Sequence, residues 1–433
     1  MMARFSAQAP SGEAVQQLET LVRTAIFKPA TALVGFLLQQ AAERIDRSYQ
    51  PKPGEHFKGR QVLDVQCLFG SFAIERDYYY NPRRKQGHFP ADAALGLEVA
   101  YTPALARLMC LEGADETGFD KAERHLAETG GIRVCARQIQ RVVQRVGSAA
   151  QAWQEREGPL GSTDASVLYV SGDGTGIPMR KEVLAGRRGK QPDGSAKTAQ
   201  VYLGCVFTQH GRDPEGHPIR DHESTTYVSS LESIDQFGPI LRREALRRGM
   251  GTAKQVVLLI DGAAGLERMG RDCFKDAIQI VDFFHAMEHA GTVLDALIGK
   301  DHPDYKARLR RWAKRLLRDG VRGLIDQSRR ESRGRSAEAA VDSALGYFVN
   351  NVERMQYGTF RAKGYFIGSG VVEAGCKTVI GARCKQSGMR WSEPGAENIL
   401  ALRCIHSSRR TSEFWKLRLN LHSARNDSLA LAA

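Results

Sequence analysis

Val-Leu-Tyr-Val-Ser-Gly-Asp-Gly-Thr-Gly, residues 167–176, is the stretch on which the fold turns. Val167 to Val170 reads as a buried strand, and it runs into an aspartate, Asp173, flanked by glycines. An acidic residue just past such a strand, with bare backbone on either side, leaves room for close approach. The arrangement recurs in Val256-Val-Leu-Leu-Ile-Asp-Gly-Ala263, so Asp261 also follows a strand. Two strands that each end in Asp-Gly can bring both carboxylates to one sheet edge. Asp-Gly is also a common way to open a turn, and that plainer reading stands beside the first.

Working outward, Val201 to Phe207 and Thr225 to Leu231 read as further strands, and Ala277 to Phe284 as a fifth, with a helix from Ile234 to Arg248 between the third and fourth. Three strands, then helix, strand, helix and strand, predict a mixed sheet with helices on its faces. Residues 286–362 show helical spacing alone, clearest at Ala286 to Ile298, Tyr305 to Leu317 and Ala337 to Tyr357, with a polar stretch at Gln327 to Arg335. Glycines return at Gly364 to Gly370, and a helix follows through Glu373.

Toward the N-terminus, residues 13–48 read as helix, which Pro29 is expected to break or kink. Val62 to Leu68 and Phe72 to Tyr80, joined at Phe69-Gly70, read as a hairpin. Two short helical stretches within 103–129 end at Gly130-Gly131, and Arg133 to Val146 is helical again. With Arg133, Arg137, Arg141 and Arg145 along it, this segment suits a helix-turn-helix DNA reader, or an ordinary helical hairpin.

Glu373 opens its helix in Gly-Ser-Gly-Val-Val-Glu-Ala-Gly-Cys-Lys. A glutamate there is stabilised by the helix dipole, or it faces the same edge as the two aspartates. Three carboxylates suit hard cations such as Mg²⁺ or Mn²⁺, and two ions about 4 Å apart would serve both oxygens of a phosphodiester exchange. In Asp282-Phe-Phe-His285-Ala-Met-Glu-His289 the histidines lie four apart on one helix face, but no third zinc ligand is evident.

The net charge of +13 comes from 62 basic and 49 acidic residues; residues 267–433 hold 29 and 19 of them, or +10. That asymmetry suggests a polyanion partner, and a solvated basic surface is the alternative. Eight scattered cysteines without a Cys-x-x-Cys pair suit reduced, buried thiols of a cytoplasmic protein. No unbroken apolar run reaches the roughly 18 residues of a membrane span, and Met1 to Gly12 lacks a signal-like order, so no membrane partner is expected.

The succession Asp173, Asp261, Asp282-x-x-His285 and late Glu373 resembles the Mutator-like DDE transposases. Three stretches are similar to bacterial insertion-sequence transposases of the ISKra type. They are Asp193-Gly-Ser-Ala-Lys-Thr198 with Leu203 to Gln209; Ile278 to Asp282; and Gly368-Ser-Gly-Val-Val-Glu-Ala-Gly-Cys-Lys-Thr-Val-Ile-Gly381 with Lys385-Gln-Ser-Gly-Met-Arg-Trp391. The resemblance covers roughly residues 60–406. Where many relatives carry Cys-x-x-Cys after the hairpin, this chain has Asn81 and Arg84, and Ala264 to Met269 lacks their tryptophan. Trp391 and Asn398 match the segment after the glutamate.

The resemblance implies an α/β fold: an RNase H-like mixed sheet core with an all-helical insertion, preceded by a mainly helical N-terminal region with a β-hairpin and a helix-turn-helix. Its parts would be 1–60, helical; 61–150, hairpin and DNA-binding; 160–285, first part of the core; 286–362, insertion; and 363–433, last core helix and basic tail. Asp173, Asp261 and Glu373 would hold two Mg²⁺ or Mn²⁺ ions, with His285 beside the scissile phosphate. Arg133, Arg137, Arg141 and Arg145, with Arg308, Arg310, Arg311 and Arg315, would hold DNA, both the terminal inverted repeats and the target. A homodimer or higher homo-oligomer at the bacterial nucleoid is the expected form. An RNase H-like nuclease without strand transfer, or a catalytically silent DNA-binding regulator, are the alternatives.

Overall fold

The computed structural model describes residues 11–189, 191 and 194–430, so Asp193 of the quoted stretch lies outside the described residues. Its contacts divide the chain within one helix, at Val146/Gly147: residues 11–146 with 410–430 form one unit, and Gly147–Arg409 the other.

The first unit holds α1 (Gly12–Ser48), β1 (His56–Gln66), β2 (Ser71–Asn81), β3 (Gln86–His88), α2 (Pro90–Ala94), α3 (Pro103–Asp115), α4 (Phe119–Gly130) and the start of α5 (Ala136–Glu155). α1 is continuous through Pro29, so the proline does not break the helix. It lies against the hairpin: a Cβ at Gly35 would meet the Phe72 ring at 2.9 Å, and Asp46 accepts the Asp77 N–H at 3.0 Å. Val65, Ile74 and Leu97 form the small core there. The hairpin turns between Gln66 and Ser71, and β3 adds a third antiparallel strand that was not foreseen. By length and composition α1 is apolar enough to cross a bilayer, a test that core helices of globular proteins also pass. Its apolar residues do not form one unbroken run, because Lys28, Pro29, Gln39 and Gln40 interrupt the stretch.

The second unit is built on β4 (Val167–Pro178), β5 (Thr198–Arg212), β6 (Pro218–Arg220), β7 (Thr226–Ser230), β8 (Gln255–Ile260) and β9 (Ile278–Val281). The sheet runs β6-β5-β4-β8-β9, with β7 also on β5; β4, β8 and β9 are parallel and β5 is antiparallel to β4. This is the mixed sheet that the strand succession predicts. β4 is longer than expected, because Gly172, Gly174 and Gly176 stay paired with β5 instead of turning. Asp173 therefore lies inside the strand. The expected strand to Phe284 stops at Val281, where Asp282 caps a helix.

α6 (Ile234–Arg247) and α7 (Ala264–Cys273) cover one face, packing Phe237, Leu241 and Leu266 on Leu168, Val170, Val206 and Leu258. After β9 the elements are helical through Ala362: α8 (Phe283–Ile298), α9 (Tyr305–Asp319), α10 (Arg322–Ser332), α11 (Glu338–Asn351), a 3₁₀ turn and α12 (Tyr357–Ala362). α10 occupies much of the stretch read as a polar separator, since Leu324 and Ile325 give it a buried side. α13 (Gly370–Gly375) continues through a π-helical turn, Cys376–Gly381, into α14 (Ala382–Cys384); α15 (Glu393–Ser407) ends the unit and α16 (Thr411–Ala430) belongs to the first. All eight cysteines are free thiols, with Cys135 exposed, Cys273 half-buried and the others buried.

Candidate active site

Parallel register gathers acidic residues at one edge of the second unit. Ser171 of β4 pairs with Leu259 of β8, and two residues beyond that pair stand Asp173 and Asp261. Ile260 pairs with Val281 of β9, and the next positions are Asp261 and Asp282. Neighbouring strands lie about 4.8 Å apart, so three adjacent strands deliver three aspartates side by side.

Asp282 is fully buried. One of its oxygens accepts the His285 N–H at 2.8 Å, capping α8, and the other accepts the Ser369 N–H. The Ser369 hydroxyl donates to Glu373 at 2.8 Å. Phe283 N–H adds a bond to the Ile367 carbonyl at 2.9 Å. The segment carrying Glu373 is thus laced to the end of β9 although 87 residues separate Asp282 from Ser369. Ligand atoms of Asp282, His285 and Glu373 all lie within 4.8 Å of one another.

Close packing brings the glutamate helix in. A Cβ at Gly375 would stand 2.7 Å from Tyr227 and 2.9 Å from Leu203, so only glycine allows this approach. The following π-helical turn leaves carbonyls that Arg403 satisfies, at Val379 (2.5 Å) and Thr378 (2.6 Å). Such turns often mark functional sites. Trp391 braces the far end: its indole donates to the Cys384 carbonyl at 3.1 Å, and its backbone bonds to Pro178, the last residue of β4, and to Arg180 beyond it. Asn398 is buried on α15, where Gly147 packs against it.

The edge is electrostatically loaded. Burial holds the Asp173 carboxyl above its ordinary range, and the charge of Asp261 adds to this against the Gly174 N–H, the Cys376 thiol and His285. Burial, then Asp173, pushes the Cys376 thiol up, so it remains a protonated donor. For His285, burial favours the neutral ring, but Asp282, Glu288 and Asp261 outweigh it and raise the imidazole above its ordinary value. His289 does not join it: burial lowers that ring, which stacks on Tyr347 at 3.6 Å. Donors orient each half-buried carboxylate: Gly174 N–H donates to Asp173 at 2.6 Å alongside the Cys376 thiol, Ala263 N–H to Asp261 at 2.7 Å, and the Ser369 hydroxyl to Glu373. Carboxylates held in fixed orientation by such donors suit a hard cation. Lys385 bonds Thr175 at 2.5 Å, setting a cation two residues from Asp173.

Sequence reasoning named the Asp282-x-x-His285 pattern but missed that Asp282, Ser369, Cys376 and Lys385 organise the edge. A helix-capping Asx position at Asp282 and the Gly-Ser-Gly turn at 368–370 were the available signals.

The arginines differ in their commitments. In the first unit Arg133, Arg137, Arg141 and Arg145 are exposed, and the last three line one groove with Val99. Arg145 also pairs at 3.0 Å with Glu98, whose buried carboxylate is shared with Arg418. On α9, Arg308 pairs with Glu331 and Arg315 bonds Gln327 at 2.6 Å, whereas Arg310 and Arg311 are exposed.

The profile of the family described as "Uncharacterised protein family (UPF0236)" matches residues 13–411. No curated protein sequence matches the chain. Among solved structures, the Drosophila P element transposase strand transfer complex is similar with a TM-score of 0.25 and 12% identity, over 74% of this chain and 80% of that one.

Proposed function

The chain belongs to the Uncharacterised protein family (UPF0236), and we propose that it acts as a DDE transposase of an insertion sequence, similar to the ISKra type. One observation carries this reading: Asp173 and Asp261 stand in parallel register on neighbouring strands, and Glu373 is tied to their edge through Ser369 and Asp282. We read the second unit's sheet as an RNase H-like core, residues 286–362 as its helical insertion, and residues 61–150 as the hairpin and helix-turn-helix region after the helical 1–60. Residues 363–409 would complete the core.

Asp173, Asp261 and Glu373 would hold two Mg²⁺ or Mn²⁺ ions, for which an all-oxygen donor set is suited. Bound there, the ions would supply charge stabilisation to the attacking and leaving oxygens of a phosphodiester. His285, whose proton is retained by its acidic neighbours, would donate a hydrogen bond to the scissile phosphate. Water and then the freed 3′-hydroxyl would be the nucleophiles. Arg133, Arg137, Arg141 and Arg145, with Arg308, Arg311 and Arg315, would hold element ends and target DNA. The protein would act at the nucleoid as a homodimer or higher homo-oligomer. The exposed apolar side chains of α1, among them Ile26, Leu33 and Phe36, offer a surface for that assembly.

The test is cleavage and joining with DNA carrying the element ends. Parent protein in Mg²⁺ should cut them and join pre-cut ends to a target plasmid. Asp173→Asn should abolish both while end binding persists, because an amide lacks the anionic oxygens a hard cation needs. Cutting without joining would identify a nuclease, and binding without cutting a regulator. Undiminished cleavage by Asp173→Asn would overturn the metal assignment.

A further inference from the structure

Beside the carboxylate edge stands an aromatic ring that the chemistry above does not use. Phe284 follows Asp282 by two residues and is 67% exposed, the most exposed aromatic side chain among the described residues. Leaving so large an apolar side chain in water forgoes about 1.5–3 kcal/mol of burial. The ring is nevertheless buttressed. It meets Phe283 edge-on with centroids 5.7 Å apart, and Phe283 in turn meets the buried Tyr357 edge-on at 5.4 Å. A Cβ at Gly368 would lie 3.3 Å from the Phe284 ring and 3.5 Å from the Asp282 carboxylate. The ring and the acidic edge are therefore separated by a single glycine.

Phe284 lines an open groove of about 610 Å³ with Phe366 and Ile367, and its charged groups are Arg220, which bonds His222 at 2.6 Å, Arg361 and one carboxylate, Glu215. That volume falls in the range of about 300–1,000 Å³ typical of small-ligand sites. An apolar lining with an exposed ring suits a flat aromatic group. Guanidinium groups in the same groove suit an attached phosphate.

We propose that this groove receives one nucleobase, unstacked from the DNA strand beside the scissile phosphate, with its face on Phe284 and its flanking phosphates toward Arg220 and Arg361. The proposal rests on the DNA-cutting reading above and specifies the substrate as a strand that is single or locally opened there. Both faces of a paired base are already covered in a duplex, so a base must leave the stack to meet the ring. Stacking of this kind is tolerant of base identity, so the groove selects for an unpaired base over a particular sequence.

The test uses the full chain and a short single-stranded oligonucleotide carrying one 5-iodouracil, with a duplex of the same sequence as comparison. Calcium replaces magnesium so that the strand stays intact. Irradiation should join the oligonucleotide to Phe284, as mapped by mass spectrometry, and the single strand should bind more tightly than the duplex. Phe284→Leu should weaken single-strand binding about tenfold and lose the cross-link, and Phe284→Trp should restore both. Arg220→Ala with Arg361→Ala should weaken binding and flatten its salt dependence. Cross-links that map elsewhere, or unchanged affinity in Phe284→Leu, would overturn the proposal. Asp173→Asn separates the two readings. It should bind and cross-link like the parent while failing to cleave in Mg²⁺; full cleavage by it would defeat the catalytic reading, whatever the cross-link shows.

Discussion

The buried carboxylate of Asp282 accepts the backbone N–H of Ser369, 87 residues later in the chain, while its other oxygen caps the helix that carries His285. One side chain thereby sets the positions of two candidate catalytic groups, His285 and Glu373. Asp282→Asn keeps the shape but turns one acceptor into a donor facing a backbone N–H. Urea unfolding should show a loss of about 1–3 kcal/mol, and cleavage should fall with it. Unchanged stability would mean that the two bonds are dispensable.

Gly375→Ala is expected to push the glutamate helix away from Tyr227 and Leu203. Displacement of this kind costs on the order of 100-fold in rate. Gly346→Ala, where a Cβ meets open space, should leave cleavage and circular dichroism as in the parent.

Asp173 carries a sign that can be tested without DNA. Burial and Asp261 raise its folded pKa, so its ionised form costs stability above its ordinary value, and the cost disappears as pH falls through the raised folded value. In EDTA at pH 7, Asp173→Asn should melt above the parent, and the gap should narrow as pH falls through the raised folded value. Saturating Mg²⁺ should raise the Tm of the parent alone. A gap that widens on acidification would contradict the assignment.

Exposure sorts the arginines. Arg137→Ala with Arg141→Ala should weaken binding to element ends and reduce the salt slope by up to about one unit per lost phosphate contact. Arg145→Ala should also lower the Tm, because it removes a partner of the buried Glu98. Gel shifts across a salt series and thermal melts distinguish the two effects.

His125 tests the first unit by itself. Its hydrogen bond to Glu112, and then the Glu112 charge, raise the imidazole above its ordinary value. An NMR titration should show this, and Glu112→Gln should return the ring to the ordinary range. The linked stabilisation is present at acidic pH and fades as pH rises through the raised value.

Residues in sequence were enough to read the strand succession, the helical span after β9, and the placement of Asp261 just past its strand. These features follow from local periodicity and from Asp-Gly pairs, which report backbone conformation within a few residues. Three matters depended on packing at long range. β4 extends through three glycines because β5 pairs with them, which Asp-Gly turn chemistry alone would not favour. Arg145 is engaged by Glu98 although helical spacing made it look like Arg137 and Arg141. Glu373 reaches the aspartates' edge only through Asp282, Ser369 and the close seat of Gly375, contacts between residues far apart in the chain. Sequence decided which residues could stand at the ends of elements; the burial of one carboxylate and the absence of one side chain decided which ends meet.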